Sequence, residues 1–402
     1  MTPATAADVR DRIAAGRSDL VAATTRLVEI ATENPPAAAY PECVSALVDL
    51  VEEACLEAEV IELEAPDGTP RAAVRSLVGE GPTLWFHGHY DVVPAQHAAQ
   101  FSPDVRDGML FGRGSADMKG GLAAMLLAAR AIRDAGAPLN GRLGLLFVPD
   151  EETGGAGGSA ALSRAGLLAA DGIGMLSPEP TGGTAWNGCR GAISLRVTVK
   201  GTSAHVGLSH TGVNAFTHML EVASALRGLA AEVGERRTEY AIEPDAARNS
   251  ILLLGGQVES GANFNVVPGR CTFTVDRRIN PEEDLDEERD RLLALLERLR
   301  GDGHDIEVEI FQEEPAAGVS ADTDLGRALA AAVRAVEERD LRFELCPGLL
   351  EIRFYAALAV PAYCYGPGLL EVSHGPDEHV DVDALERCAE VYALTALDVV
   401  GA

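Results

Sequence analysis

Lysine is nearly missing from this chain: Lys119 and Lys200 are the only two among 33 basic residues, against 62 Asp and Glu, for a formal net charge of −29. A surface so short of positive charge argues against nucleic acid and against an anionic membrane as partner. Paired thiols are missing too. Cys43, Cys55, Cys189, Cys271, Cys346, Cys364 and Cys388 are scattered, odd in number and never arranged as C-x-x-C. Neither a disulfide framework nor a thiolate zinc cluster is indicated. No run of about 18 uncharged apolar residues occurs. Asp8, Arg10, Asp11, Arg12 and Arg17 occupy the N-terminal stretch where a signal peptide would need an apolar run. A soluble cytoplasmic protein is the expectation. Repeats and low-complexity segments are absent, and Gly112-Arg113-Gly114 is followed by neither a phosphate-loop nor a dinucleotide pattern.

What is present is the composition of a folded protein, 47% hydrophobic and 24% charged over 402 residues. That length favours two domains over one. Helical spacing runs over 8–31 (Val9, Ile13, Leu20, Leu27, Ile30) until Asn34-Pro35-Pro36 stops it. A second helix is expected over 41–57. Short apolar strands follow near 59–63, 72–77 and 83–87, then a helix opened by Gly120-Gly121 and ending at Ala135, then a strand over 142–148. Alternating strands and helices read as an α/β layer structure, in which ligands gather at the carboxyl ends of strands. From Arg190 the order changes to strand 192–199, helix 212–232, strands 250–258 and 270–276, helix 282–300 and strand 305–311. This βαββαβ order fits a ferredoxin-like module. Its insertion into the first domain would explain why one late histidine stands so far from the other candidate ligands.

The chemistry begins at Leu84-Trp85-Phe86-His87-Gly88-His89-Tyr90-Asp91, which puts a histidine and a carboxylate at the end of an apolar strand. A neutral imidazole is a common zinc ligand, and Asp91 can hold the ring of His89 by its other nitrogen. Four acidic or histidine clusters follow: Gly114-Ser115-Ala116-Asp117-Met118-Lys119, Asp150-Glu151-Glu152, Pro178-Glu179-Pro180 and His374-Gly375-Pro376-Asp377-Glu378. A two-metal hydrolytic site needs about five or six oxygen and nitrogen ligands, one able to bridge, plus a base that binds no metal. His89, Asp117, Glu152, Glu179 and His374 supply such a set, with Glu151 left beside them for the proton. His87 lies on the same strand face as His89 and reads as a packed or supporting histidine, and Asp150 as structural. His97, His210, His218, His304 and His379 have no motif around them. The dense charge of 281–300 reads as a solvated helix face.

In order along nearly the whole chain, H-G-H-Y-D-V-V-P, G-R-G-S-A-D-M-K-G-G, D-E-E-T-G-G, E-P-T-G and H-G-P-D-E resemble the signatures of the M20 metallopeptidases. That family includes acetylornithine deacetylase, succinyl-diaminopimelate desuccinylase, aminoacylase and the glutamate carboxypeptidases. Gly201-Thr202-Ser203-Ala204-His205, Gly212-Val213-Asn214-Ala215 and Asn265-Val266-Val267-Pro268 extend the resemblance.

It implies an α/β fold: a mixed-sheet zinc-hydrolase catalytic domain (1–188 and 312–402) with an inserted ferredoxin-like lid and dimerisation domain (189–311). It further implies two divalent ions, zinc with cobalt or manganese tolerated. Asp117 would bridge them, Glu152 and His374 holding one and His89 and Glu179 the other. Asp91 would orient His89, and Glu151 would move a proton from the attacking water to the leaving amine. His205 resembles the family histidine that reaches a neighbouring subunit's site, so a homodimer through the lid is implied. Asn265 and Arg278 match lid positions that help hold a substrate carboxylate. Arg353 is kept from a family stretch G-G-T-D-A-R that here reads Gly348-Leu349-Leu350-Glu351-Ile352-Arg353, so the pocket wall departs from the pattern.

The function expected is hydrolysis of the amide bond of a small N-acyl amino acid. The alternatives are a carboxypeptidase or dipeptidase of the same family, or a binding protein that kept the fold and lost turnover. Metallo-β-lactamase-like proteins share H-x-H-x-D but need a histidine where Val92 stands. Many TIM-barrel amidohydrolases need a bridging lysine, and neither Lys119 nor Lys200 sits at a convincing strand end.

Overall fold

The computed structural model describes residues 3–65 and 67–402. Contacts divide the chain into two compact units: residues 1–187, 319–344 and 351–402 form the first, and 188–318 with 345–350 the second. The first unit is built on a mixed sheet. Its strand order runs Glu59–Glu64, Pro70–Gly79, Arg142–Val148, Thr83–His89, Gly172–Ser177 and Ala362–Cys364, with Trp186 antiparallel beside Cys364. The first two pairings are antiparallel, and the next three are parallel. Parallel strands covered on both faces carry no polar alternation. Thr83–His89 accordingly is buried at every position, and Arg142–Val148 at every position after the first.

Helix Gly120–Asp134 is almost wholly buried, and helix Val382–Val399 is buried along 391–397 and at Leu385, Cys388 and Ala389. Tyr392 meets Phe86 of the central strand edge to face, with ring centroids 4.7 Å apart. Burying one such ring or leucine contributes roughly 1.5–3 kcal/mol, so this layer fixes the sheet firmly. The single helix expected over 8–31 is two, Pro3–Ala15 and Arg17–Val28, broken at Gly16. A Cβ at Gly16 would come within 2.6 Å of Leu127 Cδ1, so the break lets this backbone approach the buried helix. The apolar pattern of the sequence does not predict strand Gly172–Ser177. Its sequence, GIGMLS, has two glycines and no alternation, and its place in the sheet comes from long-range parallel pairing.

The four parallel strands, Arg142–Val148, Thr83–His89, Gly172–Ser177 and Ala362–Cys364, share one direction, so their carboxyl ends lie at one edge of the sheet. His89 is the last residue of its strand, Glu151-Glu152 and Glu179 follow theirs at once, and His374 lies in the loop after Cys364.

The second unit has an antiparallel sheet in the order Ile251–Ser260, Arg270–Ile279, Gly191–Lys200, Ile306–Glu314, with helices Ala215–Val233 and Leu285–Gly301. This is the ferredoxin-like βαββαβ order. Strand Arg270–Ile279 alternates as half-buried strands do, with Cys271, Phe273, Val275 and Ile279 inward. Met219, Val222, Leu226, Leu229 and Val233 supply the apolar stripe of the first helix at helical spacing. Asn214 and Asp284 cap the two helices through their side-chain oxygens. Among the described residues no helix is long and apolar enough to cross a membrane.

Candidate metal centre

Two groups of side chains meet where the parallel strands end. His89, Asp117 and Glu179 offer ligand atoms all within 4.8 Å of one another, and so do Asp117, Glu152 and His374. Asp117 is common to both. His89 and Asp117 are buried, Glu179 is 5% exposed and the His374 side chain is half-exposed.

The His89 ring is held from one side. Its Nδ1 donates to the backbone carbonyl of Asp91 at 3.0 Å, while the Asp91 carboxylate stands 3.5 Å away. In its neutral form a ring donating at Nδ1 presents the lone pair of Nε2 inwards, on the side where Asp117 Oδ1 stands 3.2 Å away. The carboxylate of Asp91 has a second task. Its two oxygens accept from Glu151 N and Glu152 N, each at 3.1 Å, and from Asn34 Nδ2 at 2.9 Å, which fixes the backbone of the glutamate pair.

Asp150 supports the same turn from below. It sits at φ +67°, a left-handed conformation that aspartate tolerates better than most residues. Arg71 Nε lies 2.8 Å from both of its oxygens and Tyr40 donates its hydroxyl at 2.9 Å. Asn34, Tyr40 and Arg71 carried no signal in the sequence. Nothing local marks the role of Asn34 and Tyr40, whose side-chain partners lie 57 to 119 residues away, and Arg71 reaches Asp150, 79 residues on, as well as the nearby Thr69 and Asp67.

Carboxylates and imidazoles are crowded together here, largely away from solvent. Burial pushes the Glu179 carboxyl up to about 8, with Asp117 and Glu351 adding to the shift. Burial also carries Glu151 well above the usual carboxylate range, His89 opposing and Glu179 and Glu152 reinforcing. Asp117 and Glu152 raise His374 to about 10. Burial disfavours the His89 imidazolium, yet Asp117 and Asp91 together keep its pKa well above the ordinary value. Such a set grips protons where a divalent ion would replace them.

His89 Nε2, Asp117 Oδ1 and Glu152 Oε1 are, in addition, buried without a hydrogen-bond partner. His89 Nε2 and Asp117 Oδ1 are close, but not at hydrogen-bonding angles. Each orphan costs roughly 1–3 kcal/mol if left so. Mixed imidazole and carboxylate donors with unsatisfied inward atoms fit a pair of divalent ions.

His87 is engaged elsewhere. Its Nε2 is 2.5 Å from Glu351 Oε2 and 3.3 Å from Ser159 Oγ, and its Nδ1 is 3.0 Å from the Tyr355 hydroxyl. The glutamate that departs from the family stretch is thus the partner of a histidine on the central strand. Burial works against the Glu351 carboxylate, but His87 and Ser159 hold it below its usual range. Arg353 is buried and donates to Gly154 O at 2.8 Å, with its guanidinium 4.3 Å over the Phe354 ring.

In the second unit His205 and Asn265 are brought together. His205 pairs with Val266 across a bridge, and Val206 N donates to Asn265 O at 3.0 Å. The guanidinium of Arg278 is engaged by Asp276 at 2.7 and 3.0 Å.

Residues 85–398 match the family model described as Peptidase family M20/M25/M40. The chain is similar to a succinyl-diaminopimelate desuccinylase of Gluconacetobacter diazotrophicus, 31% identical over 82% of this chain and 84% of the relative. Its fold is similar to that of the di-peptidase Dug1p from Saccharomyces cerevisiae, with TM-score 0.77 and 15% identity over 98% of both chains. A dinuclear metal-binding M20 peptidase of Bacillus subtilis, the YXEP protein, gives TM-score 0.67 and 17% identity over 95% of this chain and 98% of that one. With its ordered motifs and these matches along most of its length, the chain belongs to peptidase family M20/M25/M40 and is a hydrolase of that family.

Proposed function

We propose that this hydrolase cleaves the amide bond of a small N-acyl amino acid, with Glu151 as the group that moves the proton. The observation that carries the reading is the position of Glu151. It is adjacent to Glu152 in the chain, has its backbone fixed by Asp91, and lies outside both groups of clustered ligand atoms. Adjacent carboxylates in a tight turn face different ways, so one is free of the ligand task. His89, Asp117 and Glu179 would hold one divalent ion and Asp117, Glu152 and His374 the other, zinc being the ion proposed. Two such ions would supply Lewis acidity towards the scissile carbonyl.

The remaining work falls to the protein. Glu151 takes a proton from the attacking water as the new C–O bond forms, and delivers it to the amide nitrogen as the C–N bond breaks. The products are a carboxylic acid and an amine, which leave as carboxylate and ammonium once the acid's proton passes to the amine. Burial, which raises the Glu151 carboxyl, suits it to hold that proton between the two steps. The relatives named for removing succinyl from succinyl-diaminopimelate support an N-acyl amino acid as substrate.

A screen of N-acetyl, N-succinyl and N-formyl amino acids beside dipeptides, with zinc- and cobalt-loaded protein, tests the reading. Turnover of acyl amino acids is expected, and activity confined to dipeptides would replace it with the peptidase alternative. Arg278 and Arg353 are each proposed as a candidate to grip the substrate carboxylate by two parallel hydrogen bonds. The same screen with carboxyl-amidated substrates checks this, since amidation should raise KM.

We also assign His205 to oxyanion stabilisation in a partner subunit's site. His205 is exposed and its Nδ1 accepts from Gly207 N at 3.1 Å. An imidazole accepting at Nδ1 carries its proton at Nε2, where it can donate to a developing oxyanion. Mixing inactive His205→Ala with inactive Glu151→Gln should then restore activity through hybrid dimers that own one complete site. No recovery after verified subunit exchange would place His205 outside the shared site.

A further inference from the structure

We infer that the buried pair Arg113 and Glu378 is a positioning clamp that sets one half of the metal centre, and that Arg113 tunes the two metal sites unequally. The inference rests on the ligand assignment proposed above.

Glu378 closes the motif H-G-P-D-E and Arg113 stands second in G-R-G-S-A-D, yet neither lies among the clustered ligand atoms. Glu378 Oε1 accepts three backbone N–H groups, from Gly114 at 3.0 Å, Ala116 at 3.1 Å and Asp117 at 3.1 Å. Successive N–H groups converging on one oxygen make an anion nest, here filled by the protein's own carboxylate. Gly114 makes the nest possible. Its φ of +85° belongs to the left-handed region, and a Cβ there would lie 2.6 Å from Val92 Cγ1. The loop that presents Asp117 is therefore fixed by Glu378.

Arg113 extends the hold to His374. One guanidinium nitrogen is 2.5 Å from Glu378 Oε2, and the other donates to the His374 carbonyl at 3.2 Å. His374 needs such a hold, because it sits at φ +63°, a conformation that costs a non-glycine residue of order 1–3 kcal/mol and persists only when its surroundings impose it. Gln100 supplies a second tether, donating from Nε2 to Gly375 O at 3.0 Å.

The pair is nearly sealed from solvent, both side chains being 1% exposed. A buried ion pair gains little net stability over apolar packing of the same volume, so its use lies in the geometry it enforces. Asp91 does the same for Glu151 and Glu152 through their N–H groups. Two buried carboxylates thus hold the backbone of the ligand loops while contributing no ligand atom.

The two halves of the clamp touch different ligands, and this makes them separable. Glu378 holds the N–H of Asp117, which both metal groups share. Arg113 holds the carbonyl of His374, which belongs to one. The test uses full-length chelator-stripped protein titrated with zinc by calorimetry, in two backgrounds. Glu179→Gln leaves the Asp117, Glu152 and His374 group, and His374→Ala leaves the His89, Asp117 and Glu179 group.

Arg113→Lys keeps the charge but lacks the second arm that reaches His374. It should weaken zinc about 10–100-fold in the first background, the usual cost of losing a partner that orients a ligand. In the second background it should change affinity by less than about threefold. Glu378→Gln should weaken zinc in both. Cobalt(II) absorption should shift with Arg113→Lys in the first background only, a signature that general loosening would not produce. Equal losses in both backgrounds, or none, would overturn the role of Arg113; unchanged affinity in Glu378→Gln would overturn that of Glu378. If the background variants themselves still bind two zinc ions per chain, the ligand assignment fails and not the clamp alone.

Discussion

Glu151→Gln is expected to lower kcat by about 10²–10⁴, the range for losing a general base, while both metal ions stay bound. The amide is close to the carboxylate in shape, so the turn fixed by Asp91 should be kept, since Asp91 holds the backbone of Glu151 and not its side chain. Thermal stability should not fall, because the wild-type carboxyl is crowded by burial and by Glu179 and Glu152. Elemental analysis beside steady-state kinetics separates the outcomes. A variant that loses metal but turns over normally when reloaded would mean that Glu151 and Glu152 have exchanged roles.

Removal of metal should abolish activity, and zinc or cobalt should restore it. Four donors arranged around one shared carboxylate, Asp117, would give a capacity of two ions per chain. Fewer than one bound ion per chain in fully active enzyme would falsify the dinuclear reading. Stability should respond as well. An ion that binds only the folded state, at a free concentration a thousand times its Kd, stabilises by about 4 kcal/mol. Chelation should therefore lower the melting temperature of the first unit's transition, and readdition should restore it. The orphaned His89 Nε2, Asp117 Oδ1 and Glu152 Oε1 are the atoms whose lost partner would be felt.

Four of the five candidate ligands were legible in the sequence because each sits in a short motif directly after an apolar strand or at a helix start, and strand ends converge in an α/β sheet, whereas His374, in the loop ten residues past Cys364, was marked by its motif alone. Strand Arg142–Val148 falls where the apolar run predicts it. The βαββαβ order was legible for a similar reason: half-buried strands and amphipathic helices each carry their own period. The strand Gly172–Ser177, by contrast, is held by neighbours far along the chain, and its glycines hide it from propensity. The residues that hold the ligands were hidden for a related reason. Arg113 and Glu378 were visible as motif letters, but their pairing spans 265 residues, and a spacing of that size leaves no periodic mark. His87 is similar. Its strand face was clear, whereas its partner Glu351, 264 residues on, could only be found in three dimensions.

The late position of His374 also has a consequence for biosynthesis. His89, Asp117, Glu152 and Glu179 all leave the ribosome before the second unit is made, whereas His374, strand Ala362–Cys364 and helix Val382–Val399 leave after it. The second unit comes from one stretch of chain apart from residues 345–350, so its helices and sheet can form while the parallel sheet still lacks a strand. At about 5–20 residues per second, the roughly 195 residues between Glu179 and His374 correspond to about 10–40 s of translation. For that interval His89, Asp117 and Glu179 are all present, but the loop of Asp117 still lacks Glu378, and Glu152 lacks its imidazole. Under the proposed ligand assignment, both ion sites are therefore expected to be completed only after the second unit has been made, when Glu378 and His374 arrive.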